Sequence, residues 1–474
     1  MSHAGGELAR ALGSIVGPRW VRTRLAERRA YEADGLPTHH SVPRVVVLPG
    51  SRDEVAAILA LLARGRIPWV ARGAGTGLSG GALADPEAVL IPLTRLNRIL
   101  AIDRASRRAR IEPGVVNAKL GEAVAPLGLQ YCPDPSSQAA CTLGGNVAEN
   151  AGGPHCLKYG VTTNHVTALD VILADGSLAR LGSPHGDQWG PDLVGLFVGS
   201  EGMFGVAVEI TVRLEPLPAA IRTLLADFSS VRSASEAVGA IIGAGVVPAA
   251  LEMMDQGTIL AVEASIYAAG YPTDAAAVLL VELDGPSEAV AIDDRTVTAI
   301  LRSAGAREIR SASSPAERAR LWQGRKKAFG AMGRVAPDLV VQDAVVPRTS
   351  LPAVLEAIGA IGARHQLTVC NVFHAGDGNL HPNICFDGRD RALAARVELA
   401  SREIMEACVR VGGSITGEHG VGSDKREYMP LIFDGPTLET MCAVRRAFDP
   451  TERANPGKVV PTHYCREWRE TRPR

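Results

Sequence analysis

The sequence predicts an α+β protein with at least two domains, and three observations carry that reading. From about residue 45 to residue 218, short apolar runs bounded by turn residues alternate with helix-spaced segments. Beyond Pro218 the texture changes to alanine-rich helical stretches with short strands between them, which marks a second, smaller α/β domain. A length of 474 residues, at roughly 100–200 per domain, leaves room for two to four domains.

Residues 51–64 have helical spacing, with Ser51 as N-cap and Glu54 three positions on, a capping box. Residues 68–72 read as a strand running into a glycine cluster, and 88–93 as another. Residues 98–103 and 108–113 form a hairpin, and 117–127 a helix. Residues 167–174 and 178–181 flank Asp175-Gly176, a strong hairpin signal. A strand over 206–214 is closed by Pro216 and Pro218. In the second domain the spacing predicts helices over 233–243, 315–330 and 351–365, and strands over 278–283 and 339–346.

Fifty Lys+Arg against fifty-one Asp+Glu leave a net charge of −1, so no basic field exists to hold nucleic acid. No apolar run approaches the roughly 18 residues of a membrane span, and the first ten residues lack an apolar secretory core. These features predict a cytoplasmic protein. Eight scattered cysteines without a C-x-x-C argue against a disulfide framework and against an iron–sulfur cluster in this chain. They read instead as small buried apolar residues.

The fifty glycines are clustered. Arg72-Gly73-Ala74-Gly75-Thr76-Gly77-Leu78-Ser79-Gly80-Gly81 contains a G-x-G-x-x-G. A Rossmann turn is excluded, because that motif must open a helix. Here the next strand begins at residue 88, with Pro86 in between. What remains is a loop of bare backbone amides that can cradle phosphate, with Arg72 available for a charge-assisted contact. A second cluster runs from Pro133-Asp-Pro135-Ser136-Ser137-Gln138 into Thr142-Leu-Gly-Gly145-Asn146-Val-Ala148-Glu-Asn150-Ala-Gly152-Gly153, and a third is Gly199-Ser-Glu201-Gly202-Met-Phe-Gly205. Both are expected to be open loops. Together the three imply one long ligand, and a pyrophosphate-bridged, ring-bearing cofactor has the right size.

A different constellation lies in Phe373-His374-Ala-Gly-Asp-Gly-Asn-Leu-His381-Pro-Asn383. Apolar runs on either side predict a hairpin centred on Asp377–Gly378, which sets His374 directly across from His381. Opposed strand residues have Cβ atoms about 4.5–5.5 Å apart, close enough for two imidazoles to share one metal ion. Asn383 falls on the same strand face as His381. Glu418, in Gly412-Gly-Ser-Ile-Thr-Gly-Glu-His419-Gly-Val-Gly422, offers a carboxylate ligand, and glycines around it permit close backbone approach. His39, His40, His185, His365 and His463 sit in turns or at helix ends and read as surface residues.

These motifs together resemble the FAD-linked D-2-hydroxy-acid dehydrogenases of the vanillyl-alcohol oxidase/p-cresol methylhydroxylase flavoprotein superfamily, whose members include glycolate oxidase flavin subunits, D-lactate dehydrogenases and D-2-hydroxyglutarate dehydrogenases. The resemblance implies a two-part FAD-binding domain over 1–218 and an α/β substrate (cap) domain with an antiparallel sheet over 219–412. Residues 413–474 would return to the first domain. It places the FAD pyrophosphate on Arg72–Gly80, the isoalloxazine and ribityl chain along 135–142, 145–150 and Gly152, and the adenine side near Glu201, Gly202 and Ile210. Asn455 and Lys458 would approach the flavin. Covalent family members carry a histidine in the first glycine loop, where this chain has Thr76, so FAD is expected to be held non-covalently.

By the same resemblance, His374, His381 and Glu418 bind a divalent metal, zinc, manganese or iron. Asn383 contacts substrate, His419 is the catalytic base or orienting residue, and Arg325, in Leu321-Trp-Gln-Gly-Arg325, grips the substrate carboxylate. Asp343 matches an acidic family position without an assigned role. Val341 stands where the hydroxyglutarate enzymes carry a lysine for the distal carboxylate, which weakens that substrate. The implied function is FAD-dependent oxidation of glycolate or a short D-2-hydroxy acid such as D-lactate to the 2-oxo acid. D-2-hydroxyglutarate oxidation and a non-catalytic flavin-binding subunit remain as alternatives. Electrons would pass to iron–sulfur and paralogous flavin-binding subunits feeding quinone, and those partners would hold the protein peripherally at the inner membrane.

Overall fold

Ser51 caps the helix Arg52–Arg64, its hydroxyl accepting from the Glu54 amide as the capping box predicts. Val55, Ile58, Leu59 and Leu62 of that helix share one core with Val45, Trp69, Val89 and Ile91. In the computed structural model, which describes residues 3–36, 38–186, 189–461 and 464, these last four lie in a four-stranded sheet. Its order is Val21–Arg22, Val45–Val47, Val89–Pro92, Trp69–Arg72, and the last three run parallel. His463 and Cys465 lie outside the described residues.

A second sheet is wholly antiparallel, in the order Ile99–Asp103, Arg108–Ile111, Val206–Arg213, Val166–Ile172, Leu178–Gly182. Asp175-Gly176 turns its last hairpin as expected. Inward residues Ile111, Leu169, Val171 and Ile210 form its core. The helix predicted over 117–127 ends at Val124 and continues as a 3₁₀ turn, Ala125–Leu127, because Pro126 has no amide to extend the α ladder. Both sheets belong to a unit built from residues 1–152, 160–217 and 418–474. The C-terminal stretch is stitched into it beside Trp69, whose amide donates to the Arg453 carbonyl and whose carbonyl accepts from the Asn455 amide.

The other unit comprises residues 153–159 and 218–417. Its antiparallel sheet runs Glu308–Ser311, Ala220–Phe228, Ala277–Gly285, Ala250–Asp255, Thr368–His374, with Asn379–Leu380 and Ala344–Val345 beyond, and Pro382–Phe386 also pairs with Thr368–His374. Alternate strand residues Leu225, Val278, Leu280, Ala250 and Met254 pack against Ile259, Leu321 and Trp322 of the helices Gln256–Glu263 and Pro315–Lys326. The mixture of helices with antiparallel sheets is the α+β class that the sequence predicts.

Two predicted elements are broken. The helix over 315–330 is two, Pro315–Lys326 and Ala328–Ala331. The strand over 339–346 divides into Asp338–Val341 and Ala344–Val345: the Gln342 amide still donates to the Pro382 carbonyl, but Pro382 has no amide to return the bond.

Candidate active site

In the first unit the loop after Arg72 runs to the strand Val89–Pro92 without a helix, as the proline-interrupted spacing requires. The Arg72 guanidinium donates to the Ala33 carbonyl at 2.7 Å and lies against Gly75. A Cβ at Gly73 would collide with the Thr142 hydroxyl, which is what obliges glycine there. Thr142 in turn caps the helix Leu143–Glu149, its Oγ1 accepting from the Gly145 amide. The second glycine cluster is therefore largely a short helix carrying Gly145, Asn146 and Ala148, not the open loop expected from its small residues. Pro135, Ser136 and Ser137 form turns before it, and Asn150 ends it in the left-handed region at φ 52.

The third cluster holds the returning chain. Glu201 is buried, and its carboxylate accepts from the amides of Val421 (2.7 Å) and Gly422 (2.8 Å). Gly422, at φ +54, lies against the Ser79 carbonyl, where any side chain would clash. Asn455 donates to the carbonyls of Gly81 and Glu201, and Lys458 to that of Leu83 at 2.9 Å. Ile210 is wholly buried in the antiparallel core. Glu149 and Glu201 both lie against Gly420. Burial, and then the neighbouring Glu201 charge, push the Glu149 carboxyl well above the carboxylate range.

These residues fit a flavin nucleotide on an observation of their own. Four buried polar atoms, Ser79 Oγ, Asn146 Nδ2, Ser200 Oγ and Asn455 Oδ1, have no hydrogen-bond partner among the described residues. They line the glycine clusters, where a polar ligand would complete them.

The second unit carries the histidines. His374 pairs in register with Asn379, not with His381, across a four-residue turn Ala375–Gly378. The predicted direct opposition is corrected to a diagonal one. Because side chains alternate with a period of two, a two-residue slip keeps His381 on the face of His374. The rings still meet, with centroids 5.1 Å apart and planes at 87°, and their nearest ligand nitrogens lie within 4.8 Å.

A buried carboxylate stands near each imidazole, and one of the two is hydrogen-bonded to it. Glu252, across from His374 in the register of Ala250–Asp255, accepts from His374 Nδ1 at 2.8 Å. Asp343, wholly buried, stands 3.7 Å from His381 Nδ1. Asp343 also accepts from the Thr416 hydroxyl (2.6 Å) and the Gly417 amide (2.9 Å). Arg325 has no exposed surface. Its Nε and Nη2 approach Glu252 Oε2 at 2.7 and 2.5 Å, and its Nη1 has no partner among the described residues. Burial alone would raise the Glu252 carboxyl, but Arg325 and His374 more than offset it and hold it below the ordinary value. Asn383 is also buried, its amide donating to the carbonyls of Cys370 and His381 and its Oδ1 left without a partner among the described residues.

Glu418 and His419 open the C-terminal stretch of the first unit, partly buried, with His419 Nε2 3.7 Å from Glu418 Oε1. Sequence reasoning missed Glu252 and Glu282 and gave Asp343 no role. A signal existed: in each of Ala250–Asp255 and Ala277–Gly285 a glutamate interrupts the apolar run ahead of the aspartate near the strand's end. A charge in such a strand is tolerated only with partners.

Comparison with known proteins bears on this geometry. Residues 43–182 match an FAD binding domain, and residues 217–459 match the C-terminal domain of FAD linked oxidases. The chain is 51% identical over 439 residues to glycolate oxidase subunit GlcD of Escherichia coli (strain K12), covering 92% of this chain and 88% of that protein. It is 32% identical over 425 residues to D-lactate dehydrogenase of Anaerostipes hadrus, covering 88% of this chain and 89% of the relative. Among solved structures, p-cresol methylhydroxylase with substrate bound superposes with a TM-score of 0.84 at 16% identity over 98% of both chains, a likeness of fold.

Proposed function

The chain belongs to the FAD-linked oxidases, and from that membership we propose that it oxidises a short 2-hydroxy acid, glycolate or D-lactate, to the 2-oxo acid. It is an oxidoreductase whose cofactor is FAD. The similarity to proteins named glycolate oxidase subunit and D-lactate dehydrogenase supports the substrate class.

One observation carries the reading: a buried row of Arg325, Glu252, His374, His381 and Asp343 on a single sheet domain. Arg325 Nη1 receives the substrate carboxylate, since Nε and the inner edge of Nη2 already face Glu252. His374 and His381, joined by Glu418 one residue beyond Gly417, hold a divalent metal, zinc, manganese or iron. Asn383, whose carboxamide oxygen has no partner among the described residues, contacts the substrate. His419 accepts the hydroxyl proton on a ring nitrogen, a task suited to imidazole near pH 7. When bound, non-covalent FAD supplies the acceptor for two electrons and the α-hydrogen, and the metal supplies the Lewis acidity that acidifies the hydroxyl. Val341 pairs in register with Asn383, so an apolar side chain stands where a distal carboxylate would need a cation, which favours a short substrate.

Electrons then leave to a separate iron–sulfur subunit and a paralogous flavin-binding subunit feeding quinone. The absence of any C-x-x-C in this chain agrees with a cluster held elsewhere. Among the described residues no helix is long and apolar enough to cross a membrane, so membrane contact would come through those partners.

His419→Ala tests the chemistry. Under anaerobic addition of D-lactate or glycolate, the wild-type flavin bleaches, while the variant keeps its FAD and stays yellow. Bleaching of the variant at the wild-type rate refutes the role of His419.

A further inference from the structure

Resting on the site just proposed, we infer that Glu252 is a positioning residue that serves the carboxylate anchor and a metal-binding histidine at once. Glu252 has no exposed surface, and three groups converge on it: Arg325 Nε and Nη2, and His374 Nδ1. A carboxylate only accepts, so Nδ1 of His374 must carry its proton toward Glu252. That fixes one tautomer, with Nε2 as the ring nitrogen whose lone pair a metal would take. Arg325 Nη2 stands 3.4 Å from the same Nδ1, and a guanidinium cannot accept a hydrogen bond, so Arg325 cannot take over the role of Glu252.

The second carboxylate is placed differently. Asp343 lies 3.7 Å from Nδ1 of His381, beyond hydrogen-bond reach, and accepts from the Thr416 hydroxyl and the Gly417 amide. It therefore fastens its own stretch of chain to the turn that leads into Glu418. Glu252 is not offered as a metal ligand; it orients a group that is one.

Glutamine at 252 would break the arrangement in a defined way. Its single carbonyl oxygen can receive His374 or Arg325 but not both well, and its amide would point two donors at donors. Either the imidazole rotates its proton to Nε2 and loses the metal, or Arg325 swings from its seat.

The test uses purified flavin-loaded full chain. Metal per flavin is measured by elemental mass spectrometry after equilibration with graded chelator, alongside anaerobic substrate titration of flavin bleaching. In Glu252→Gln the chelator concentration that strips half the metal should fall 10–100-fold, the range typical of lost outer contacts to a metal-bound histidine. The substrate KM should rise at the same time, with FAD content unchanged. Glu252→Asp, which keeps the charge but withdraws it by one methylene, should fall between the two, and it decides the matter if the glutamine variant does not fold. Wild-type metal retention in either flavin-loaded Glu252 variant overturns the inference. A wild-type protein that holds no metal, and whose bleaching ignores chelator, instead overturns the metal site itself.

Discussion

Arg325 is a cation with no exposed surface and one nitrogen, Nη1, without a partner among the described residues. Burying a guanidinium costs several kcal/mol unless it is paired, and Glu252 supplies the pair. The remaining Nη1 is thus a charged donor held ready in a low-dielectric place, where a substrate carboxylate is worth more to it than water. Lysine cannot copy this: a point charge on a flexible stem meets Glu252 or the substrate, not both in one plane. Arg325→Lys should raise the substrate KM by about 30–150-fold, equivalent to about 2–3 kcal/mol for a lost charge-assisted hydrogen bond. Flavin content should not change. Substrate titration of flavin bleaching measures it, and a KM within threefold of wild type would remove Arg325 from substrate binding.

At the scale of an element, the helix Pro315–Lys326 is held to its sheet by charge as much as by packing. Arg318 and Trp322, four residues apart and so on one face, both donate to Glu282, at 2.6 Å from Nη2 and 2.6 Å from the indole. Arg325, three residues further, reaches Glu252 on the next strand. The Thr223 hydroxyl and His155 complete the ring around Glu282. Burial would raise this carboxyl, but bonds from His155 and Arg318 hold it far below the carboxylate range. A depressed carboxyl adds stability that is fully present at neutral pH and is lost as pH falls below about 4.3 toward the folded value. Glu282→Ala should cost about 3–5 kcal/mol at pH 7 by leaving Arg318 and the indole N–H facing a void. It should also raise the substrate KM, because the helix carries Arg325. Chemical denaturation and substrate titration read the two effects; an unchanged KM in a folded variant would show that the helix is seated by its apolar residues alone.

At the scale of the whole molecule, the first unit is assembled from three separate stretches of chain, and its last stretch is fastened by buried polar groups. Lys458 is one of these, with Nζ on the Leu83 carbonyl and its pKa lowered to about 8 by burial. Between about 8 and the unfolded value near 10.4 the unfolded chain holds a proton that the folded chain does not, so stability rises with pH through that window. The gain is about 3 kcal/mol by that difference. Flavin-free wild-type protein should therefore gain stability relative to Lys458→Met as pH goes from 7 to 10. A constant difference across that range would mean that Lys458 keeps its ordinary pKa in the fold.

Much of this was legible in the chain. Ser51 and Glu54 set a helix start, Asp175-Gly176 set a hairpin, and Pro86 excluded a dinucleotide crossover, because each acts through its immediate neighbours. His374, His381 and Asn383 could be placed on one strand face from spacing alone, since the face depends only on parity. The register could not: a turn of four residues or two serves that sequence, and only pairing with the neighbouring strands selected Asn379 as the partner of His374. The roles of Glu252, Glu282 and Asp343 were beyond sequence reasoning for the same reason. Their partners lie tens of residues away, as Arg325 does from Glu252, and a buried carboxylate has meaning only through the cations and donors that tertiary packing brings to it. Local grammar is written in the chain, whereas the electrostatics of a dry interior exist only once distant strands are side by side.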